Sequence, residues 1–143
     1  MVEHQAYETL IHFFEQMKHW ELTCVGEDAG MRKRNTTSQE VWERLKDEQF
    51  AALSKILQIY TTQLPDREEG MSYGNPTEYD PDMDELVAHE DKKNSFEIIV
   101  RSNSSFRSGE VTKYELLSVD GRWVINSKHR KTKSGHWKKV SLV

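Results

Sequence analysis

The sequence has one cysteine, three prolines and no long apolar run. A lone thiol, Cys24, excludes an internal disulfide framework. Apolar stretches such as Ile98-Ile99-Val100 are a few residues long, far below the ~20 that a membrane-spanning helix needs. The opening, Met1 to Gln5, lacks the basic start and apolar stretch of a signal peptide. Together these absences predict a reducing, cytoplasmic setting and no membrane partner. The sequence also offers little to hold a metal or a phosphate. His12 and His19 would align two turns apart on a helix, too distant to share one ion, and Cys24 has no companion thiol. Gly26 and Gly30 bracket Glu27 and Asp28, two acids where a bound anion would have to sit. No cofactor is expected.

What is present is a polar chain with enough large apolar groups to fold. Its 143 residues fit one domain spanning 1–143. Four Trp, five Phe and five Tyr supply the burial that disordered chains lack. The net charge of −4 hides a polar distribution. From Asp66 to Asp91 there are ten acids and one base, and from Gly121 to Val143 seven bases and no acid. Solvation explains most such runs. The sharper reading is a pole that meets a partner of opposite charge.

Periodicity separates the chain into helices and then strands. Ala6, Leu10, Phe13, Phe14, Met17 and Trp20 recur at spacings of three and four, so they share one helical face. The pattern fades after Leu22, and the polar stretch through Asn35 reads as a loop. Thr37 or Ser38 caps a second helix, whose stripe of Val41, Leu45, Leu53, Ile56, Leu57 and Tyr60 ends near Leu64-Pro65. A short strand near Met71-Ser72-Tyr73 and a long acidic loop follow. Strands are then expected at 86–89, 96–100, 111–119, 122–131 and 136–143, with a polar turn between Asn103 and Gly109.

Asp120-Gly121 is the strongest local signal. A two-residue Asp-Gly loop favours the type I′ hairpin turn. It sets Val119 opposite Arg122, Ser118 opposite Trp123, Leu116 opposite Ile125 and Tyr114 opposite Ser127. Strict alternation then buries Tyr114, Leu116, Trp123 and Ile125 together, and sends Lys113, Lys128 and Arg130 outward or to the rim.

Helices followed by antiparallel strands make an α+β order. With the late Asp-Gly-Arg-Trp-Val-Ile hairpin (Asp120 to Ile125), the chain resembles the nuclear transport factor 2-like superfamily. That resemblance implies a cone: N-terminal helices packed on a curved, mostly antiparallel sheet. Within the superfamily the chain most resembles the bacterial immunity proteins of polymorphic toxin systems. The residues behind this are Gly70 to Pro76, Glu78 to Pro81, Val119 to Ser127 and Gly135 to Lys138. The acidic loop and the basic C-terminal strands depart from the small enzymes of the superfamily. The resemblance implies a protein that binds and neutralises a cognate toxin and catalyses nothing.

Two other readings stand beside it. An enzyme of this fold, such as an isomerase, cyclase or dehydratase, would need polar groups converging in the cone. His89, Asp80, Glu97 and Tyr114 are the available acid–base groups. A ligand-binding or dimerisation module, with a homodimer left open, is the other. Nucleic acid is disfavoured, because the net charge opposes long-range attraction to phosphate and Trp123 and Trp137 fit a sheet core. If a toxin carries a basic groove, the acidic loop would fill it. Glu78, Asp80, Asp82, Asp84 and Glu85 would supply charge, and Tyr73, Tyr79 and Met83 the apolar anchors.

Overall fold

The computed structural model describes residues 4–63, 79–104 and 108–143. Two helices come first, α1 (Gln5–Lys33) and α2 (Gln39–Tyr60). Five strands follow: β1 (Asp84–Asp91), β2 (Ser95–Ser102), β3 (Val111–Val119), β4 (Arg122–Lys131) and β5 (Trp137–Val140). They form one antiparallel sheet in sequence order. The helices pack on its inner face, giving the expected α+β architecture. The strand expected near Met71-Ser72-Tyr73 lies outside the described residues, as do Tyr73 and Glu78.

The core is the α1 stripe laid on the sheet. Leu10, Phe13, Phe14 and Met17 meet Phe96, Ile98, Tyr114, Leu116 and Ile125, all buried. Each such side chain contributes about 1.5–3 kcal/mol by leaving water. The helix does not fade after Leu22 but runs on to Lys33. Cys24, Asp28 and Met31 continue the buried face at spacings of three and four. The glycines at 26 and 30 each cost about 1 kcal/mol relative to Ala, less than this packing returns. Asp28 is the key to the extension. Its carboxylate accepts from Lys46 Nζ at 3.0 Å to both oxygens, and from Gln49 Nε2 at 3.2 Å, so α2 holds it. Trp20 Nε1 adds a bond to the Gln49 carbonyl, 2.9 Å. Asn35, just past the C-cap Arg34, takes φ 55° and closes the helix, while Thr36 N–H returns to the Met31 carbonyl and Asn35 N–H to that of Arg32.

α2 begins at Ser38, whose hydroxyl accepts from Val41 N–H. It ends at Tyr60, short of Leu64-Pro65, because the chain turns onto the sheet there: Thr61 bridges Ile125, and Thr62 N–H donates to the Ile125 carbonyl at 2.9 Å.

The hairpin has the expected turn, with Asp120 at φ 51° and Gly121 at φ 77°. Pairing matches expectation from Val119–Arg122 to Leu116–Ile125 and then slips by one. Glu115, not Tyr114, faces Ser127, and Tyr114 faces Lys128. Asn126 is the extra residue of a β-bulge, held by a bond to Glu115 Oε1 at 2.9 Å and one from Thr62 Oγ1 at 2.9 Å. The slip inverts the alternation beyond it. Lys128 and Arg130 therefore lie on the inner face, against the outward placement that unbroken alternation predicts. The last strand is also shorter than 136–143. It ends at Val140, and Leu142 turns back into the core.

Candidate partner-binding surface

The acidic segment enters the described structure at Tyr79 and forms a tight turn into β1. The Asp80 carbonyl accepts from Met83 N–H at 3.0 Å and Asp84 N–H at 2.9 Å. Its carboxylate caps the turn from inside, accepting from Asp82 N–H at 3.1 Å. Pro81 suits the second position, where its fixed φ is preset. Lys18 of α1 staples the turn to the helix, 2.9 Å from Asp80 Oδ1 and 3.3 Å from Asp82 Oδ2. Its hydrogen bond to Asp80 raises the Lys18 pKa above the ordinary lysine value. Asp82, Met83 and Glu85 are left exposed on this braced turn. Bracing matters for recognition, because side chains already ordered cost less to fix in a complex.

Tyr79 behaves differently. Its ring is buried, 1% exposed, and lies edge-on to Phe13 with centroids 5.3 Å apart. Its hydroxyl donates to the Leu142 carbonyl and accepts from Lys128 Nζ at 3.2 Å. Tyr79 thus anchors the turn to the core instead of standing on the surface as a contact. Lys128 is 1% exposed, with Nζ 4.6 Å from the Tyr79 ring centre and 5.9 Å from that of Tyr114. Arg130 Nε is ion-paired with Glu110 Oε1 at 2.8 Å. Asp84 lines the same hollow as Lys128 and Arg130, whose free volume of about 20 Å³ is room for roughly one water.

The four acid–base candidates fall in separate surroundings. His89 stacks on Phe96, centroids 5.5 Å apart, and meets the edge of Tyr7. Asp80 holds Lys18. Glu97 is on the outer face of the sheet, paired with Lys92 at 3.2 Å and Lys113 at 3.9 Å. Tyr114 is buried against Phe14. Cys24 is buried, and desolvation, reinforced by Glu27 and Asp28, pushes its thiol up to about 12. A thiol so perturbed is no nucleophile at neutral pH. Among the described residues no three His, Cys, Asp or Glu side chains converge to hold a metal, and no helix is long and apolar enough to cross a membrane.

The residues beside the acidic turn come from the side of α1 away from its buried stripe. Ile11, Glu15, Leu22 and Lys18 share a surface with Pro81 and Asp82. Ile11 also lines a cleft of about 600 Å³ between α1 and β1. A signal existed: Ile11 and Leu22 are apolar residues off the buried stripe, and Leu22 stays 51% exposed.

These features agree with comparison against known families. The family model described as NTF2 fold immunity protein matches residues 5–141, nearly the whole chain. Neither a curated protein nor a solved structure matches significantly. With two helices packed on a five-stranded antiparallel sheet and that match along its length, the chain belongs to the NTF2 fold immunity protein family.

Proposed function

We propose that this chain is an immunity protein of a bacterial polymorphic toxin system, acting in the cytoplasm by binding and neutralising a cognate toxin without catalysis of its own. The observation that carries the reading, beside family membership, is the braced acidic turn. Lys18 holds Asp80 and Asp82 while Asp82, Met83 and Glu85 face solvent. Asp80 and Asp84 shape the turn, and Glu78 and Tyr73 precede it in the acidic stretch. Such a surface suits a toxin with a basic face, since charge complementarity speeds encounter and fixes register.

The test is co-expression with the toxin encoded by the adjacent gene. Wild type should restore growth and elute with the toxin as a stoichiometric complex. Reversing the exposed pair, Asp82→Lys with Glu85→Lys, should weaken the complex about tenfold, as loss of complementary charge does, and flatten its salt dependence. Growth arrest despite wild-type co-expression would overturn the reading. Unchanged affinity in the double variant would remove this turn from the contact.

A further inference from the structure

We infer that β1 is an edge strand built to accept an extended segment of the partner, basic at both ends and apolar in the middle, as an added strand. The inference rests on the immunity reading and names the chemistry of the contact. β1 is the outermost strand, and among the described residues its outward edge pairs with no other strand. Proteins commonly shield such an edge, because a row of unpaired backbone groups templates pairing with another chain. Here the edge is eight residues long, beside an open cleft of about 600 Å³.

The side chains specify what could lie there. Glu85 stands exposed at one end of β1, Glu90 and Asp91 at the other, and no Lys or Arg lies between, while Asp84 lines the inner hollow beside Lys128 and Arg130. The centre is Leu86-Val87-Ala88. The register slips between Leu86 and Ala88, so Val87 is a bulge residue, and both Leu86 and Val87 line the cleft. Opposite them α1 contributes Tyr7, Glu8, Ile11 and His12. The cleft thus has an apolar middle flanked by His12, His89 and Glu8, and the exposed acids of β1, Glu85, Glu90 and Asp91, lie along the strand beyond its lining. The nearby bases are few: Lys92 pairs with Glu97 at 3.2 Å, Arg101 is the register partner of Glu85, and Lys93 follows the other end.

An extended segment laid along β1 would gain main-chain bonds from the edge. It would place alternate apolar side chains in the cleft and its lysines or arginines on the two acidic ends, the mode of recognition by strand addition. The groove between α1 and α2 is of similar size, about 630 Å³, but offers no strand edge. The acidic turn at Asp80 to Glu85 runs directly into β1, so both surfaces can serve one partner.

Hydrogen exchange on the full chain, alone and with the toxin domain encoded by the adjacent gene, tests this, with native mass spectrometry reporting complex formation in the same samples. We expect amides across 85–91 to slow by about tenfold or more in the complex, as newly hydrogen-bonded strands do. We also expect Glu85→Lys, Glu90→Lys and Asp91→Lys together to raise Kd about tenfold by losing charge complementarity. A complex that forms while 85–91 exchange as in the free chain, with protection on β3 to β5 or in the α1–α2 groove, overturns this inference and leaves the immunity reading standing. Absence of any complex overturns both.

Discussion

Lys128 Nζ sits 3.2 Å from the hydroxyl of Tyr79, in a core where both are 1% exposed. Neither placement follows from simple patterning. The bulge at Asn126 turns Lys128 inward, and the turn at Asp80 draws Tyr79 down to meet it. The same hydroxyl donates to the Leu142 carbonyl. One side chain therefore ties the base of the acidic turn, β4 and the C-terminal residues together.

Tyr79→Phe keeps the ring and removes the hydroxyl. It leaves Lys128 and the Leu142 carbonyl each short of a partner in a buried site. Unfolding free energy should fall by about 1–3 kcal/mol, the cost of leaving a buried polar group unsatisfied. Urea denaturation checks this, and a change within error would mean that the bond contributes no net stability.

The Asp28–Lys46 pair should behave asymmetrically. Lys46→Met strands a buried carboxylate and should cost about 1–3 kcal/mol. Adding Asp28→Asn removes that charge and should recover part of the loss. Thermal or urea unfolding of the single and double variants measures the coupling. Strict additivity would show that the pair does not hold the end of α1.

The Lys18 staple makes a pH prediction. Its folded-state pKa is raised above the ordinary 10.5 by the hydrogen bond it donates to Asp80. Its stabilising contribution is therefore full below the unfolded value and is lost as pH rises through the higher folded one. The melting difference between wild type and Lys18→Met should be constant near neutral pH and shrink in the alkaline range. The size should be modest, about 0.2–1 kcal/mol, because both partners are partly exposed. Taking the difference cancels Tyr7, whose phenol burial also raises.

Cys24 should resist thiol reagents. With its pKa near 12 and the side chain buried, it holds little thiolate at neutral pH. Labelling should require denaturant, and stoichiometric labelling of the native protein within minutes would contradict its burial.

Much of this fold was legible in the sequence because local rules and tertiary packing agree. The α1 stripe, the Ser38 cap, the Asp-Gly turn and the strands flanking it each announce themselves over a few residues. The failures share one cause. Gly26, Asp28 and Gly30 look like a loop because the partner that buries Asp28, Lys46, comes from another helix. Lys128 looks like a surface residue because nothing local marks Asn126 as a bulge; its holders are Glu115 and Thr62. Tyr79 looks like a surface anchor because its neighbours in sequence are acidic, while its neighbours in space are Phe13, Lys128 and Leu142. The acidic turn was legible as charge, but its brace, Lys18, lies sixty-two residues away.

The most direct test is calorimetric titration of the full chain with the toxin domain it is proposed to neutralise, sought in the adjacent gene, repeated across a range of salt concentrations. The account predicts a saturating isotherm with one toxin per chain and a Kd that weakens steadily as salt screens the acidic turn and edge. No binding at low salt would contradict it outright, and tight binding indifferent to salt would contradict the role given to Asp82, Glu85 and the acids of β1.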